Sequence, residues 1–197
     1  ALANAHNIAI MHDFAYGSLG YDGIRPPSFL QTPGAKEVGV EFYTLSKTYN
    51  MAGWRVGFAV GNAEMIAGLN LIQDHLYCSL FPAIQHAASV ALTASQQCVT
   101  EQLAIYEARR NALKDAAANI GWDITIPAGS FFAWLPVPTG MTSEAFADLL
   151  LEKANVAVAA GNGFGAHGEG YVRVGLLVDE ARIHEAMARI ATLNLFA

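Results

Sequence analysis

Residues 43–57 of this chain read Tyr43-Thr44-Leu45-Ser46-Lys47-Thr48-Tyr49-Asn50-Met51-Ala52-Gly53-Trp54-Arg55-Val56-Gly57. In it a lysine lies between two hydroxyl residues, and an arginine follows eight positions later. Apolar runs that predict strands cover 38–44 and 54–60. A lysine can form a covalent imine with an aldehyde, and an arginine with hydroxyls can bind a phosphate. The residue types therefore suit a phosphorylated aldehyde cofactor.

The tripeptide Ser46-Lys47-Thr48 also suggests a nucleotide-binding P-loop, which requires G-x-x-x-x-G-K-[ST]. The two glycine positions of that motif are occupied by Glu41 and Ser46. Because those glycines let the backbone approach a phosphate closely, the P-loop interpretation is excluded.

A second candidate residue follows an earlier apolar run. Asn7 to His12 reads as a buried parallel strand, and it ends at Asp13, with Tyr16 in the loop beyond. Ligands of open α/β sheets bind beyond the carboxyl ends of strands, which places Asp13 where chemistry occurs. A strand-end aspartate can also simply cap its loop. Both interpretations of Asp13 stay open on the residues alone.

Three segments together resemble the class I/II (fold type I) pyridoxal-phosphate-dependent aminotransferases. The first is the lysine stretch quoted above, and the second is His12-Asp13-Phe14-Ala15-Tyr16, which is similar to the family's Asp-x-x-Tyr element. The third is Gly161-Asn162-Gly163-Phe164-Gly165 with Gly168-Glu169-Gly170-Tyr171-Val172-Arg173, similar to the family's closing signature. Ala160 stands where the family usually has proline. The same glycines contain G-x-G-x-x-G, but a strand follows them, so a dinucleotide fingerprint is excluded.

The resemblance implies a role for each matching residue. Lys47 would carry pyridoxal 5'-phosphate (PLP) and act as general acid and base. Asp13 would pair with the pyridine nitrogen, and Tyr16 would bond the phenolic oxygen. Arg55, Thr44 and, more weakly, Ser46 would bind the phosphate. Arg173 would bind the substrate α-carboxylate, although a strand arginine is as often simply exposed or paired.

The resemblance also implies an α/β fold, the C-terminal part of a fold type I PLP-transferase. Residues 1–82 would form the remainder of the mostly parallel sheet of a three-layer large domain. A long connecting helical segment would cover 83–120, and a small α+β domain 121–197. The chain begins without an initiator methionine, as if cut from a longer protein. We expect a homodimer in that protein.

The implied function is ping-pong transfer of an amino group between an L-amino acid and a 2-oxo acid. Within the family, the amino-acid sequence is most similar to that of Bacillus-type methionine-salvage aminotransferases, which aminate 4-methylthio-2-oxobutanoate. A PLP-dependent C–S lyase or synthase would use the same Lys47, Asp13 and Arg55. An inactive truncated globular domain is a further alternative. The family's upstream half is missing here, so the isolated chain should have little activity.

Composition excludes several other classes. The net charge is −6, and no Lys/Arg cluster suits a nucleic acid. No run of about 18 apolar residues predicts a membrane span. The histidines show no metal-ligand spacing, so we expect no metal. The two cysteines, Cys78 and Cys98, are expected to be buried and reduced, which suits a cytoplasmic protein.

Local patterns in the second half predict further elements. Strands are expected at 123–126, 130–135, 156–159 and 171–176, and helices at 143–153 and 179–193. Ser143 is the expected N-cap of the first of these helices. Phe131, Phe132 and Trp134 are expected to lie in the core, with the substrate side as the alternative.

Overall fold

The computed structural model describes residues 1–196, which divide into two compact units. Unit 1 is Ala1–Glu101, and unit 2 begins at Gln102. The division falls within one long helix, α6, which runs over Gln97–Asn119. The division into segments 1–82, 83–120 and 121–197 that was expected from the sequence stays a prediction.

Unit 1 contains a three-stranded sheet in the order β1-β2-β3, formed by Ile10–Asp13, Gly39–Thr44 and Gly57–Gly61. β1 is parallel to β2, and β3 is antiparallel to β2. In this register Asp13 lies opposite Phe42, and Thr44 lies opposite Gly57. The carboxyl ends of β1 and β2 and the start of β3 therefore meet at one edge of the sheet.

Short helices precede, connect and follow these strands. Helix α1 covers Leu2–Ala5, α2 covers Ala35–Val38, and α3 covers Leu45–Thr48 directly after β2. A small core joins α3 to the rest of the unit, because Leu45 packs with Val56 and Ala88. The lysine segment is thereby fixed to the sheet through its own apolar neighbour.

Two further helices complete unit 1. Helix α4 covers Ala63–Ile72, continues as a π-turn over Gln73–Tyr77, and is capped by Asn62, whose side chain accepts from Met65 N–H. Helix α5 covers Pro82–Thr93, and residues 94–96 separate it from α6, so the segment 83–120 is helical but interrupted. Proline suits the first turn of α5 because it lacks the N–H that would be unsatisfied there. None of the helices in the described residues has the length and apolar character needed to cross a bilayer.

Unit 2 is an antiparallel sheet with helices. Its strands, β4 (Phe132–Pro136), β5 (Ala159–Ala160) and β6 (Tyr171–Gly175), lie in the order β4-β6-β5. Helix α7 covers Ser143–Leu149 and ends in a π-turn over Leu150–Ala154, and α8 covers Glu180–Ala191. One face of the sheet packs into the core, where Leu135 and Val172 are 0% exposed.

Four local predictions are wrong. Residues 123–126 form no strand, because an extended segment needs a ladder partner, and 156–159 contributes only Ala159 to β5. The N-cap of α7 is Thr142, whose hydroxyl accepts from Ala145 N–H, and Ser143 is already helical. Both cysteines are exposed thiols: Cys78 follows the π-turn, and Cys98 lies in the first turn of α6.

Candidate active site

The sheet of unit 1 brings five of the seven candidate residues to one edge. Asp13 ends β1, and Thr44 ends β2. Ser46 and Lys47 lie on α3 immediately afterwards, and Arg55 lies two residues before β3 begins. The parallel pairing of β1 with β2 is the cause, because it puts both carboxyl ends on the same side.

Thr44 and Ser46 form a hydroxyl pair at the start of α3. Ser46 N–H donates to Thr44 Oγ1 at 3.1 Å, and the two side-chain oxygens are 2.9 Å apart. Thr44 Oγ1 is also 3.4 Å from the carbonyl oxygen of Val56, which belongs to the segment that carries Arg55. Ser46 is buried while Thr44 is half-buried, so the pair lies at the boundary between core and solvent. Two hydroxyl oxygens of this kind can turn their protons toward an anion.

Lys47 lies close to Tyr16. Its Nζ is 6.0 Å from the centroid of the Tyr16 ring, which is within the range of a cation–π contact. Both side chains are half-buried. The loop after β1 and the helix after β2 therefore place a primary amine beside a phenol.

Arg55 has a left-handed backbone conformation, with φ of 51°. Such a conformation is uncommon for a non-glycine residue and is concentrated at functional sites. Its Nη1 donates to the carbonyl oxygen of Ala52 at 2.8 Å, and the residue is otherwise exposed. The bond to Ala52 orients the guanidinium and leaves further N–H groups for an anion.

Asp13 is exposed, and its Oδ1 accepts from Ala15 N–H at 3.2 Å. This is the loop-capping contact that one interpretation of the sequence expected. A carboxylate has several acceptor positions, so the contact leaves Asp13 able to accept from a second donor.

A buried carboxylate that the sequence analysis missed lies in β2. Glu41 is 0% exposed, and it accepts from Ser28 Oγ at 2.8 Å, from Phe29 N–H at 2.7 Å and from the Tyr43 hydroxyl. His12 Nδ1 lies 2.7 Å from its Oε2. These four contacts define the Glu41 network, which joins β1, β2 and the loop before α2. The one signal in the sequence was an acid inside an apolar strand.

Electrostatics within the Glu41 network follow from its burial. Burial would raise the pKa of Glu41, but the hydrogen bonds from Tyr43, His12, Ser28 and Phe29 outweigh it and hold the pKa below its usual range. Burial, together with the hydrogen bond to the Glu41 carboxylate, raises the pKa of the Tyr43 hydroxyl. At neutral pH Glu41 is therefore an anion and Tyr43 a neutral donor.

Arg173 lies in unit 2, on β6, and is half-buried. Its guanidinium carbon is 4.1 Å from the ring centroid of Phe132 and 4.1 Å from that of Phe164. Phe131 is buried in the core as expected, whereas Trp134 is 36% exposed on the face that carries Arg173. The expectation of a core residue is thus correct for Phe131 and wrong for Trp134.

The turn before β6 is held by the buried hydroxyl of Ser143. Its Oγ accepts from Gly170 N–H at 2.9 Å and from Tyr171 N–H at 3.2 Å, and it is 3.3 Å from the carbonyl oxygen of Gly168. Ser143 N–H donates to Glu169 Oε1 at 2.8 Å. This hydroxyl sets the start of the strand that carries Arg173, and that role explains why it does not cap α7.

Two open cavities do not coincide with these clusters. In unit 1 a cavity of about 1010 Å³ has Arg55 in its lining but not Asp13, Tyr16 or Lys47. In unit 2 a cavity of about 740 Å³ is lined by Phe132 and Trp134 but not by Arg173. The side-chain clusters, and not the cavities, therefore define the candidate site.

The donor set at the edge of unit 1 fits PLP. An amine is available for an aldehyde, a carboxylate for a pyridinium nitrogen, and a phenol for a phenolic oxygen. Two adjacent hydroxyls and a guanidinium are suited to a phosphate dianion.

Comparison with known proteins gives the same family. The sequence profile "Aminotransferase class I and II" matches residues 1–190. The L-glutamine–4-(methylsulfanyl)-2-oxobutanoate aminotransferase of Bacillus subtilis is 68% identical over 194 residues, covering 98% of this chain and 49% of that protein. An LL-diaminopimelate aminotransferase of Dehalococcoides mccartyi is 46% identical over 192 residues, covering 98% of this chain and 50% of that protein. The chain spans about half the length of the curated relatives it matches.

Solved structures agree on the fold. Apo-BacF from Bacillus subtilis superposes with a TM-score of 0.93 at 40% identity, covering 99% of this chain and 50% of that one. An aminotransferase from Staphylococcus aureus gives 0.90 at 38% identity, covering 96% and 50%. The expected α/β fold of a fold type I PLP-transferase is confirmed. On the profile match and these identities, the chain belongs to the class I and II aminotransferase family.

Proposed function

We propose that the protein containing this chain is a PLP-dependent aminotransferase that moves an amino group between an L-amino acid and a 2-oxo acid. The observation that carries the proposal is the convergence of Asp13, Lys47 and Arg55 at one edge of the sheet in unit 1. Family membership supports it, because members of the family use PLP.

Six residues, together called the edge cluster, have distinct tasks in this proposal: the five at the edge of the sheet, Asp13, Thr44, Ser46, Lys47 and Arg55, and Tyr16 beside Lys47. Asp13 pairs with the pyridine nitrogen and keeps it protonated, and Tyr16 bonds the phenolic oxygen. The guanidinium of Arg55 and the hydroxyls of Thr44 and Ser46 bind the phosphate. The two hydroxyl oxygens lie 2.9 Å apart, so rotation of their O–H bonds, without movement of the backbone, would direct both toward one phosphate.

When bound, PLP supplies an aldehyde that receives the amino group and a ring that accepts electrons released at the substrate Cα. Lys47 would hold the cofactor covalently through Nζ. Acting first as general base and then as general acid, the same Nζ would take the proton from the substrate Cα and pass it to the cofactor. Tyr16 lies close enough to limit the positions that Nζ can occupy.

In unit 2, Arg173 binds the α-carboxylate of the substrate with two parallel N–H donors. Support comes from its setting, since two aromatic rings flank the guanidinium and no ion pair is recorded for Arg173 within residues 1–196. A guanidinium without an acid partner keeps its charge for an incoming anion.

We propose 4-methylthio-2-oxobutanoate as the acceptor, on the strength of the 68% identity to the Bacillus subtilis enzyme that is named for it. A homodimer in the cytoplasm is the proposed setting. Its support is the resemblance to a dimeric family and the two exposed, unpaired thiols, which are typical of reducing compartments.

The test uses the full-length protein with PLP, glutamine and 4-methylthio-2-oxobutanoate, and it measures methionine formed. We expect turnover in the wild type and a loss of at least about 1000-fold in Lys47→Ala, since both covalent attachment and proton transfer are lost. Lys36→Ala is the matched control, because Lys36 is an exposed lysine of α2 in the same unit.

Two results would contradict the proposal. Equal activity of Lys47→Ala and Lys36→Ala would remove Lys47 from the reaction. Release of ammonia and pyruvate from a sulfur amino acid, without transfer to an oxo acid, would instead indicate a C–S lyase.

A further inference from the structure

We propose that Phe132 and Phe164 are positioning residues that hold the Arg173 guanidinium ready for a substrate carboxylate. The inference rests on the proposed function and deepens it, because it names the side chains that make the carboxylate clamp effective. Neither phenylalanine is assigned contact with the reacting atoms.

Two aromatic rings lie close to the Arg173 guanidinium. The guanidinium carbon lies 4.1 Å from each of the two ring centroids, so the cation has an aromatic ring on two sides. A spacing of about 4 Å is typical of a guanidinium stacked on a ring face, and it lies well inside the limit of about 6 Å for cation–π attraction. Stacked rings restrict the plane of the guanidinium but leave its in-plane N–H donors available.

Strand register explains how the arrangement arises. On β4 and β6, Trp134 lies opposite Arg173, and Phe132 lies opposite Gly175. Phe132 is therefore the diagonal neighbour of Arg173 on the same face of the sheet. Gly175, which lies opposite Phe132, contributes no side chain between the Phe132 ring and Arg173.

The second ring comes from outside the sheet. Phe164 lies in the single 3-10 turn formed by Gly161–Phe164, and its ring also packs edge-on against Trp134 at 5.6 Å. Although Phe164 is 51% exposed, it is thus held from two sides, by Arg173 and by Trp134. The turn is anchored by Gly161, since a Cβ at that position would lie 2.1 Å from the Gly168 carbonyl oxygen.

The aromatic neighbours leave the positive charge of Arg173 available to the substrate. An arginine fixed by a carboxylate would have its charge neutralised before the substrate arrived, and an incoming anion would have to compete with that acid. Aromatic faces attract the cation without neutralising it. A freely rotating arginine would also lose more conformational entropy on binding than one that is already restrained.

The test compares methionine with 3-(methylthio)propylamine, which has the same side chain and amine but no carboxylate. The full-length protein with PLP bound is mixed with each compound, and the second-order rate constant of the first half-reaction is measured from the cofactor absorbance. The ratio of the two rate constants reports only on carboxylate recognition. Arg173→Ala shows how far the ratio falls without the clamp.

In Phe164→Leu we expect the ratio to fall by roughly threefold to thirtyfold, with the amine rate unchanged. Phe132→Leu should act in the same direction. Phe164→Tyr, which keeps the ring, should restore the ratio to within about twofold of wild type. Tyr171→Leu is the control, because Tyr171 is an exposed ring of the same sheet that stacks on Trp134 rather than on Arg173.

The possible results distinguish a failure of the positioning role from a failure of the proposed aminotransferase function. Suppose that the ratio falls in Arg173→Ala but is unchanged in Phe164→Leu. This result would overturn the positioning role of Phe164 and would leave the proposed aminotransferase function standing. Parallel loss of both rates would show a structural role only and would also overturn it. If the wild type does not react with methionine or any other amino acid, the proposed function itself fails.

Discussion

Replacing Glu41 by glutamine would remove one negative charge from the Glu41 network while keeping the shape of the side chain. Glu41 has no exposed surface, and its two carboxylate oxygens have four hydrogen-bonding partners. The amide N–H of Phe29 can only donate, so the glutamine oxygen must face Phe29 and His12. The new NH₂ then faces the hydroxyls of Ser28 and Tyr43, which must turn to accept.

The magnitude follows from the change in charge. Hydrogen bonds to a charged group contribute about 1.5–3 kcal/mol each, and those between neutral groups about 0.5–1.5 kcal/mol. The loss is therefore about 1 kcal/mol for each donor that keeps its geometry. With four partners, of which the two hydroxyls can adapt, E41Q should lower the free energy of unfolding by about 2–4 kcal/mol.

The effect should depend on pH. The pKa of Glu41 is lower in the folded protein than its ordinary value of 4.5. Its ionised form is therefore favoured by folding, and the stabilisation is fully present above about pH 4.5. It is lost as the pH falls through the lower, folded-state pKa. The difference in stability between wild type and E41Q should accordingly be constant near neutrality and shrink below about pH 4.5.

Urea denaturation of the full-length proteins at pH 7 and at pH 3.5 measures this difference. Hydrogen exchange of the Phe29 amide localises it, because that N–H donates to Glu41. E37Q is the matched control, since Glu37 is exposed on α2 and its loss should change stability by less than about 0.5 kcal/mol. A loss of stability below about 1 kcal/mol for E41Q at pH 7, or a loss that grows as the pH falls, would contradict the claim that the charge of Glu41 stabilises the fold.

Three further predictions concern the two units separately. Ser143→Ala should cost about 2–4 kcal/mol of stability in chemical denaturation, because it leaves two backbone N–H groups of the turn before β6 without their acceptor. Thr142→Ala, which removes only the helix cap, should cost about 1 kcal/mol; equal losses would contradict this. Arg55→Lys should weaken PLP binding about tenfold by equilibrium titration because the planar fork is lost, while the exposed Arg25→Lys changes nothing. Tyr43 should ionise above the usual tyrosine range in an ultraviolet pH titration, and a normal value would contradict its burial.

Local sequence pattern predicted the part of the fold that positions the edge cluster. Apolar runs next to Asp13 and Lys47 predicted both strands within a few residues. The expectation of a buried strand is wrong for β1, because its residues are half-buried or exposed and Met11 is 73% exposed, whereas the first half of β2 is buried. Lys47 and Tyr16 are far apart in sequence, yet their proximity follows from strands that end at the same edge. The roles of the site residues remain predictions.

Long-range partners could not be predicted in the same way. Residues 123–126 alternate like a strand, but no ladder partner exists for them in the described residues. Thr142 and Ser143 are both good caps, and only the turn before β6 shows that Ser143 is engaged elsewhere. The Glu41 network joins residues up to 29 positions apart, and nothing in local pattern reports such contacts.

The proposed function depends above all on Lys47 as the residue that carries the cofactor. The direct measurement is reduction of the full-length protein with borohydride in the presence of PLP, followed by digestion and mass spectrometry. We expect one modified peptide, containing Lys47, and none in Lys47→Ala. A phosphopyridoxyl group on another lysine of the wild type, such as Lys36, with Lys47 unmodified, would contradict the account.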